Sequence, residues 1–269
     1  MSGYKFDYEK KVWGGEKLRL SPVHFRASRL YYALIELKGV RGKILDVGCG
    51  VGDFSEAIEF YRPDLDVYAV DISSKAIALA KKRNLKVHFK VCDAQKLPFK
   101  SNFFDAIVCF DLIEHVKSPK RVLDEIYRVL KPKGILHTFI PMEDNIFSME
   151  GMLIRLGWKA KEIYGGHPHH FSYSWIRNTV NESGFEIRIS RWGEHLVNQI
   201  LEIIYFTWLS IRQKNVRYSV EGYFALTNPR LLIRCIKFVK NILATLSYLE
   251  TRLFYWLPGL GLHLTCIKQ

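Results

Sequence analysis

The chain offers no paired cysteines. Cys49, Cys92, Cys109, Cys235 and Cys266 are scattered singly through 269 residues, with no C-x-x-C spacing and no neighbouring histidine at zinc-ligand distance. That excludes a disulfide scaffold or zinc ribbon and leaves small apolar residues suited to a reducing compartment. Met1 to Lys11 is polar and charged, without the apolar core of a signal peptide, so the expected compartment is the cytoplasm. Long hydrophobic runs are also missing. Leu196 to Ile211 comes nearest to a membrane span but is short and broken by Asn198, Gln199 and Glu202. There is no internal repeat and no low-complexity stretch. With 48% hydrophobic and 25% charged residues, the composition fits one large folded domain, or one domain carrying an insertion. Acidic residues are in deficit, 27 against 40 basic, for a formal charge of +13. Such a surplus suits nucleic acid, anionic lipid or plain solubility, and charge alone does not choose.

From Lys43 to about Pro141, short apolar runs alternate with helical segments. Lys43 to Gly48 reads as a buried strand ending in a tight turn. A helix over Asp53 to Tyr61 follows, stopped by Arg62-Pro63. Asp66 to Asp71 is the next strand, and Ser73 caps a helix running to about Arg83. Lys86 to Cys92 and Phe104 to Phe110 make two more strands. Ser118 opens a helix carrying Val122, Ile126, Val129 and Leu130 at helical spacing, ended by Lys131-Pro132-Lys133-Gly134. Ile135 to Ile140 is the fifth strand. This alternation implies right-handed parallel crossovers and an α/β sheet covered on both faces. Beyond it, Met142 to Phe171 reads as a loop or lid, Ser172 to Ser183 as a helix closed by Gly184, and Phe185 to Trp192 as a strand. Leu262 to Ile267 reads as a last strand.

The chemistry concentrates in Leu45-Asp46-Val47-Gly48-Cys49-Gly50-Val51-Gly52. Glycines after a parallel strand let the backbone turn sharply and let a ligand lie where a Cβ would clash. The G-x-G-x-G spacing is one residue shorter than the pattern that seats a dinucleotide pyrophosphate. Asp46 and Asp53 place carboxylates beside the turn, which would repel phosphates but suit an ammonium and a sulfonium. S-adenosylmethionine is therefore favoured over NAD. Asp71 closes the second strand, 19 residues after Gly52, where an acid can hold a ribose diol. Asp93, with Ala94, follows the third strand and can accept an adenine amine, while Ile72 supplies an apolar face. Three acids on three consecutive strand ends converge on the crevice where open α/β sheets bind ligands.

These motifs, with Val70-Asp71, Asp93-Ala94-x-x-Leu97-Pro98-Phe99, Phe104-Asp105-Ala106-Ile107 and Leu130-Lys131-Pro132-x-Gly134, resemble the class I S-adenosylmethionine-dependent methyltransferases. Within them the chain is similar to the branch containing the ubiquinone and menaquinone biosynthesis enzymes. The resemblance spans about Lys43 to Pro141, with weaker echoes at His170-Phe171-Ser172 and Ser183-Gly184-Phe185. It implies a Rossmann-like, seven-stranded, mostly parallel sheet whose last strand is antiparallel, with Ile187 and Leu264 in the final pair. It also implies that the turn at Asp46, Gly48, Cys49, Gly50 and Gly52 meets the methionine part of S-adenosylmethionine, that Asp71 holds the ribose and that Asp93 meets the adenine. Phe110 and Asp111 would floor the cofactor, and His115 is the implied base near the transferred methyl.

His167, His169 and His170 cluster in the suspected lid without an acidic or cysteine partner at ligand spacing, so no metal is expected. Residues 194–269 carry nine Lys/Arg against four Asp/Glu. Arg230, Arg234, Lys237 and Asn241 recur at helical spacing, with Leu231, Leu232, Cys235, Phe238, Ile242 and Leu246 covering the other side. With Phe254, Tyr255, Trp256 and Leu257 close behind, and Lys240 adding charge, the segment reads as an amphipathic helix at an anionic membrane interface, or as a lid on the catalytic domain. Either suggests a lipophilic or bulky acceptor. The chain thus divides into a helical cap (1–42), a Rossmann-like core (43–193), an apolar basic helical insertion (194–261) and a last core strand (262–269). The competing functions are an RNA methyltransferase and a non-catalytic S-adenosylmethionine-binding protein. The former lacks an RNA-binding domain and an Asn-Pro-Pro-Tyr-type motif, since Asn228-Pro229 stands in the wrong place, and nucleic acid is not the expected partner.

Overall fold

The computed structural model describes residues 14–15, 17–23, 25–83, 85–165, 167–212 and 230–269, without the side chains of 25, 165, 212, 230–237 and 240. Seven strands form one sheet: β1 (Gly42–Val47), β2 (Leu65–Asp71), β3 (Val87–Val91), β4 (Phe104–Phe110), β5 (Leu130–Pro141), β6 (Phe185–Gly193) and β7 (Gly261–Lys268). Their order is β3-β2-β1-β4-β5-β7-β6. The first five are parallel, and β7 runs antiparallel to both β5 and β6, pairing Ile187 with Cys266 and Ser190 with Leu264. The implied seven-stranded architecture is what the chain adopts.

Strands covered on both faces need near-continuous apolar runs. In β4, every residue from Ala106 to Phe110 is buried. One face packs Leu45, Phe104 and Ile107 against α4 (Pro119–Val129), through Ile126 and Val129, and α7 (Tyr173–Glu182), through Ile176. The other packs Ile44, Val108 and Phe139 against α1 (Phe25–Glu36), through Leu30 and Ala33, and α2 (Asp53–Tyr61), through Ile58. Helix α1 thus contributes to one core face. Two of the three serines read as helix starts cap them by local hydrogen bonding, whereas Ser118 precedes Pro119 without a side-chain cap. Ser73 Oγ accepts from Ala76 N in α3 (Ser74–Lys81) at 3.1 Å, and Ser172 Oγ accepts from Trp175 N at 3.3 Å.

Two local expectations change. Helix α4 stops at Val129 and the chain passes directly into β5, so Lys131 to Gly134 lies within the strand rather than capping the helix. Lys133 takes a left-handed φ of 62° there, and pairing with β4 shifts register between Phe104 and Ala106. The suspected lid contains two helices, α5 (Met149–Arg155) and α6 (Ala160–Gly165). The insertion contributes α8 (Leu196–Arg212), which packs on α6, and α9 (Arg230–Phe254), which packs on α8 and β6. Asn228-Pro229 and the side chains of Arg230, Leu231, Leu232, Arg234, Cys235, Lys237 and Lys240 lie outside the described residues.

Candidate cofactor and acceptor site

Strands β1, β2 and β4 end at one edge of the sheet, and the turns after them build the site. Gly48, Gly50 and Gly52 have φ of 79°, 54° and 83°, a region that costs residues with a Cβ about 1 kcal/mol or more. The turn is pinned to β2 because Gly48 N and Cys49 N both donate to Val70 O, at 2.8 and 3.0 Å. A Cβ on Gly48 would stand 3.0 Å from the Leu112 side chain, and one on Gly52 would stand 2.9 Å from Phe89. Asp71, at the end of β2, is held by two backbone donors: Gly50 N to Oδ2 and Ser73 N to Oδ1, both 2.8 Å. Its carboxylate therefore ties the glycine turn to the start of α3. Ile72 beside it is 55% exposed, a large apolar side chain presented to the crevice rim. Asp93 is exposed and oriented by Gln95 N at 2.8 Å, while Ala94 and Cys49 are buried.

Three of the expected residues lie inside the fold. Asp46 is 1% exposed and accepts from Ser55 Oγ at 2.6 Å, which braces α2. Burial pushes its carboxyl up to about 7, against the Ser55 hydrogen bond. Asp53 accepts from Gly15 N and pairs with Arg26 at 3.2 Å and Arg83 at 2.6 Å, which spends its charge inside the fold. Phe110 is core, its ring 4.5 Å from that of Phe54.

After β4 the chemistry becomes densely ionic. Asp111 has a φ of 48°, a strained conformation for a residue with a side chain, and pairs with Arg29 at 3.1 Å. Arg29 also meets Glu194 at 3.2 Å and lies 4.1 Å over the Phe139 ring. The short 3₁₀ turn Ile113–His115 follows. Glu114 is fully buried, and neither of its carboxylate oxygens has a hydrogen-bond partner among the described residues. Burial pushes it up to about 8, with His167 pulling the other way. His115 Nε2 stands 3.9 Å from Glu114, and its ring meets that of His167 edge-on at 4.6 Å.

The spacing of the lid histidines offers them no acidic partner, but the fold supplies two. His167 Nδ1 lies 2.6 Å from Glu143 Oε1, and the donor atoms of Glu114, His115 and His167 fall within 4.8 Å of one another. Glu143 is anchored by Lys161 at 3.1 Å, which also binds Glu150 at 2.8 Å and Glu202 at 2.6 Å. Lys161 thus joins the loop after β5 to α5 and α8. Its ammonium is stabilised well above its ordinary value because the three carboxylates outweigh the effect of burial. His169 Nε2 is bonded to Val116 O at 2.9 Å. The sequence reading missed Arg29, Lys161, Glu143 and Glu194, each of which lies outside the recognised motifs.

A family model for a methyltransferase domain matches residues 45–138. The ubiquinone/menaquinone biosynthesis C-methyltransferase of Desulfotalea psychrophila is 36% identical over 121 residues, 43% of this chain and about half (49%) of that protein's length. The demethylmenaquinone methyltransferase of Thermotoga maritima is 39% identical over 161 residues, 54% of this chain and 70% of that protein. Among solved structures, the [4+2]-cyclase SpnF superposes with a TM-score of 0.57 at 19% identity, over 96% of this chain and 86% of its own, a likeness of fold alone. The chain belongs to the class I S-adenosylmethionine-dependent methyltransferases. S-adenosyl-L-methionine is the cofactor of that family, and the residues fit it. The left-handed glycine turn closes β1 beside the end of β2, and Asp71 stands preoriented there, its carboxylate held by Gly50 N and Ser73 N.

Proposed function

We propose that the protein transfers the methyl group of S-adenosylmethionine to a lipophilic small molecule taken up at an anionic membrane surface. The bound cofactor supplies an electrophilic methyl on sulfur; the protein contributes positioning of the acceptor and control of its proton. Gly48, Cys49, Gly50 and Gly52 hold the methionine part, Asp71 the ribose, Ile72 and Asp93 the adenine. The acceptor meets the methyl beyond β4, near Asp111 and His115.

The observation that carries the acceptor class is the orientation of α9. Its small residues Ala244, Ser247 and Thr251 face inward, while Phe238, Ile242, Leu246, Leu249 and Leu253 are exposed. A lid packed on the catalytic domain would bury its large apolar side chains. This helix turns them outward, and Phe254, Tyr255 and Trp256 continue the exposed face. No helix among the described residues is long and apolar enough to cross a membrane, so the reading is of a protein lying on the bilayer. Sedimentation with vesicles of anionic lipid, at low and high salt, tests it. Binding should fall with salt, and Leu246→Glu combined with Leu253→Glu should abolish it while S-adenosylmethionine affinity by calorimetry stays unchanged. Equal recovery of wild type and double variant with vesicles would defeat the membrane part.

A further inference from the structure

We infer that His167, oriented by Glu143, is the group that takes the acceptor's proton, an assignment that rests on the methyl-transfer reading. Glu143 Oε1 accepts from His167 Nδ1 at 2.6 Å, which fixes the tautomer and makes Nε2 the basic nitrogen. Glu143 is in turn held by Lys161 at 3.1 Å, in a pocket where Glu143 is 1% exposed. His115 packs edge-on against this imidazole, and Glu114 lies within 4.8 Å of both rings. A carboxylate–histidine pair of this kind orients the ring and stabilises the imidazolium that forms.

The acceptor class this suits is a hydroxylated ring or enol, whose O–H must be broken for the oxygen or its conjugated carbon to attack. The O–H proton passes to His167 Nε2 and its bonding pair stays on the acceptor oxygen. In oxygen attack an oxygen pair forms the new bond to the methyl carbon. In carbon attack the oxygen pair forms C=O while the conjugated C=C pair forms that bond, the ring carbon then giving its own proton to water. The carbon–sulfur pair remains on sulfur, and the imidazolium later returns its proton to water. His167 follows α6, and its partner Glu143 is held by Lys161 of α6, which also binds Glu150 of α5 and Glu202 of α8, so the packing of these three helices sets the position of the base.

The groups facing His167 decide its titration. Burial works against its charge, but Glu143 and then Glu114 outweigh burial and Lys161, so its pKa is raised. His115 lies against it and His170 Nε2 stands 4.0 Å from the other Glu143 oxygen. The imidazole proton signals of the wild-type protein, followed by NMR against pH without cofactor, should give His167 a midpoint above the ordinary histidine value. Glu143→Gln should lower that midpoint, and Glu143→Asp should restore part of it. With a short-tailed hydroquinone in detergent micelles as acceptor, His167→Asn should lose about a hundredfold in turnover and keep its S-adenosylmethionine affinity. The acidic limb of the rate profile should move down in Glu143→Gln. An ordinary His167 titration, unmoved by Glu143→Gln, or a His167→Asn rate within threefold of wild type, overturns the inference. A wild-type protein that binds S-adenosylmethionine yet turns over no hydroquinone counts instead against the acceptor reading.

Discussion

Replacing Asp71 by alanine separates the backbone clasp that its carboxylate forms from the ribose contact proposed for the same group. Its oxygens accept from Gly50 N and Ser73 N, both at 2.8 Å, so the side chain fastens the glycine turn to α3 even before cofactor arrives. A hydrogen bond to a charged group is worth about 1.5–3 kcal/mol net. Water can reach this half-buried strand end and replace part of the loss. The expected cost to folding is therefore about 1.5–3 kcal/mol in total, rather than twice that. Under the proposed ribose assignment the cofactor loses a contact as well, and one charged bond of the same size corresponds to a tenfold to roughly hundredfold weaker affinity. Asp71→Asn keeps one acceptor oxygen for the backbone and should fall between wild type and alanine on both scales. Calorimetric titration with S-adenosylmethionine at fixed salt, paired with urea denaturation, measures the two effects separately. Unchanged affinity in a folded Asp71→Ala protein would refute the ribose assignment. A stability loss without an affinity loss would reduce Asp71 to a structural clasp.

Gly48→Ala, with φ at 79° and Leu112 3.0 Å from the new Cβ, should destabilise the turn and lower S-adenosylmethionine affinity at least tenfold by calorimetry. Asp46 should make stability fall as pH rises. Its folded pKa of about 7 exceeds the unfolded value near 4, so the native state holds the extra proton between those limits and its advantage is lost as the pH climbs through them. Asp46→Asn, which can still accept from Ser55, should raise the melting temperature at pH 8 more than at pH 5. Lys161→Met leaves Glu143, Glu150 and Glu202 without their shared cation and should cost about 3–5 kcal/mol in urea denaturation, with partial recovery on adding Glu150→Gln.

The sequence by itself determined the sheet and the cofactor end of the site, because both are written in local patterns. Apolar runs of strand length, Ser73 as a cap and Gly48-x-Gly50-x-Gly52 after β1 specify backbone conformations within a few residues, and Asp71 is fixed by being the last residue of its strand. Even there, burial was not readable. Asp46 and Phe110 sit in motif positions, yet β1 and β4 are covered on both faces, so the side chains turn into the fold. The ionic cluster beyond β4 was decided only by tertiary packing. Arg29 reaches Asp111 from α1, and Lys161 gathers acids from the loop after β5, α5 and α8. Glu143 comes within 2.6 Å of His167 from 24 residues away. Ion pairs between distant segments leave no periodicity in a sequence. The amphipathic character of α9 was legible as spacing, but which of its faces met the protein depended on small residues fitting against β6 and large ones being left outside.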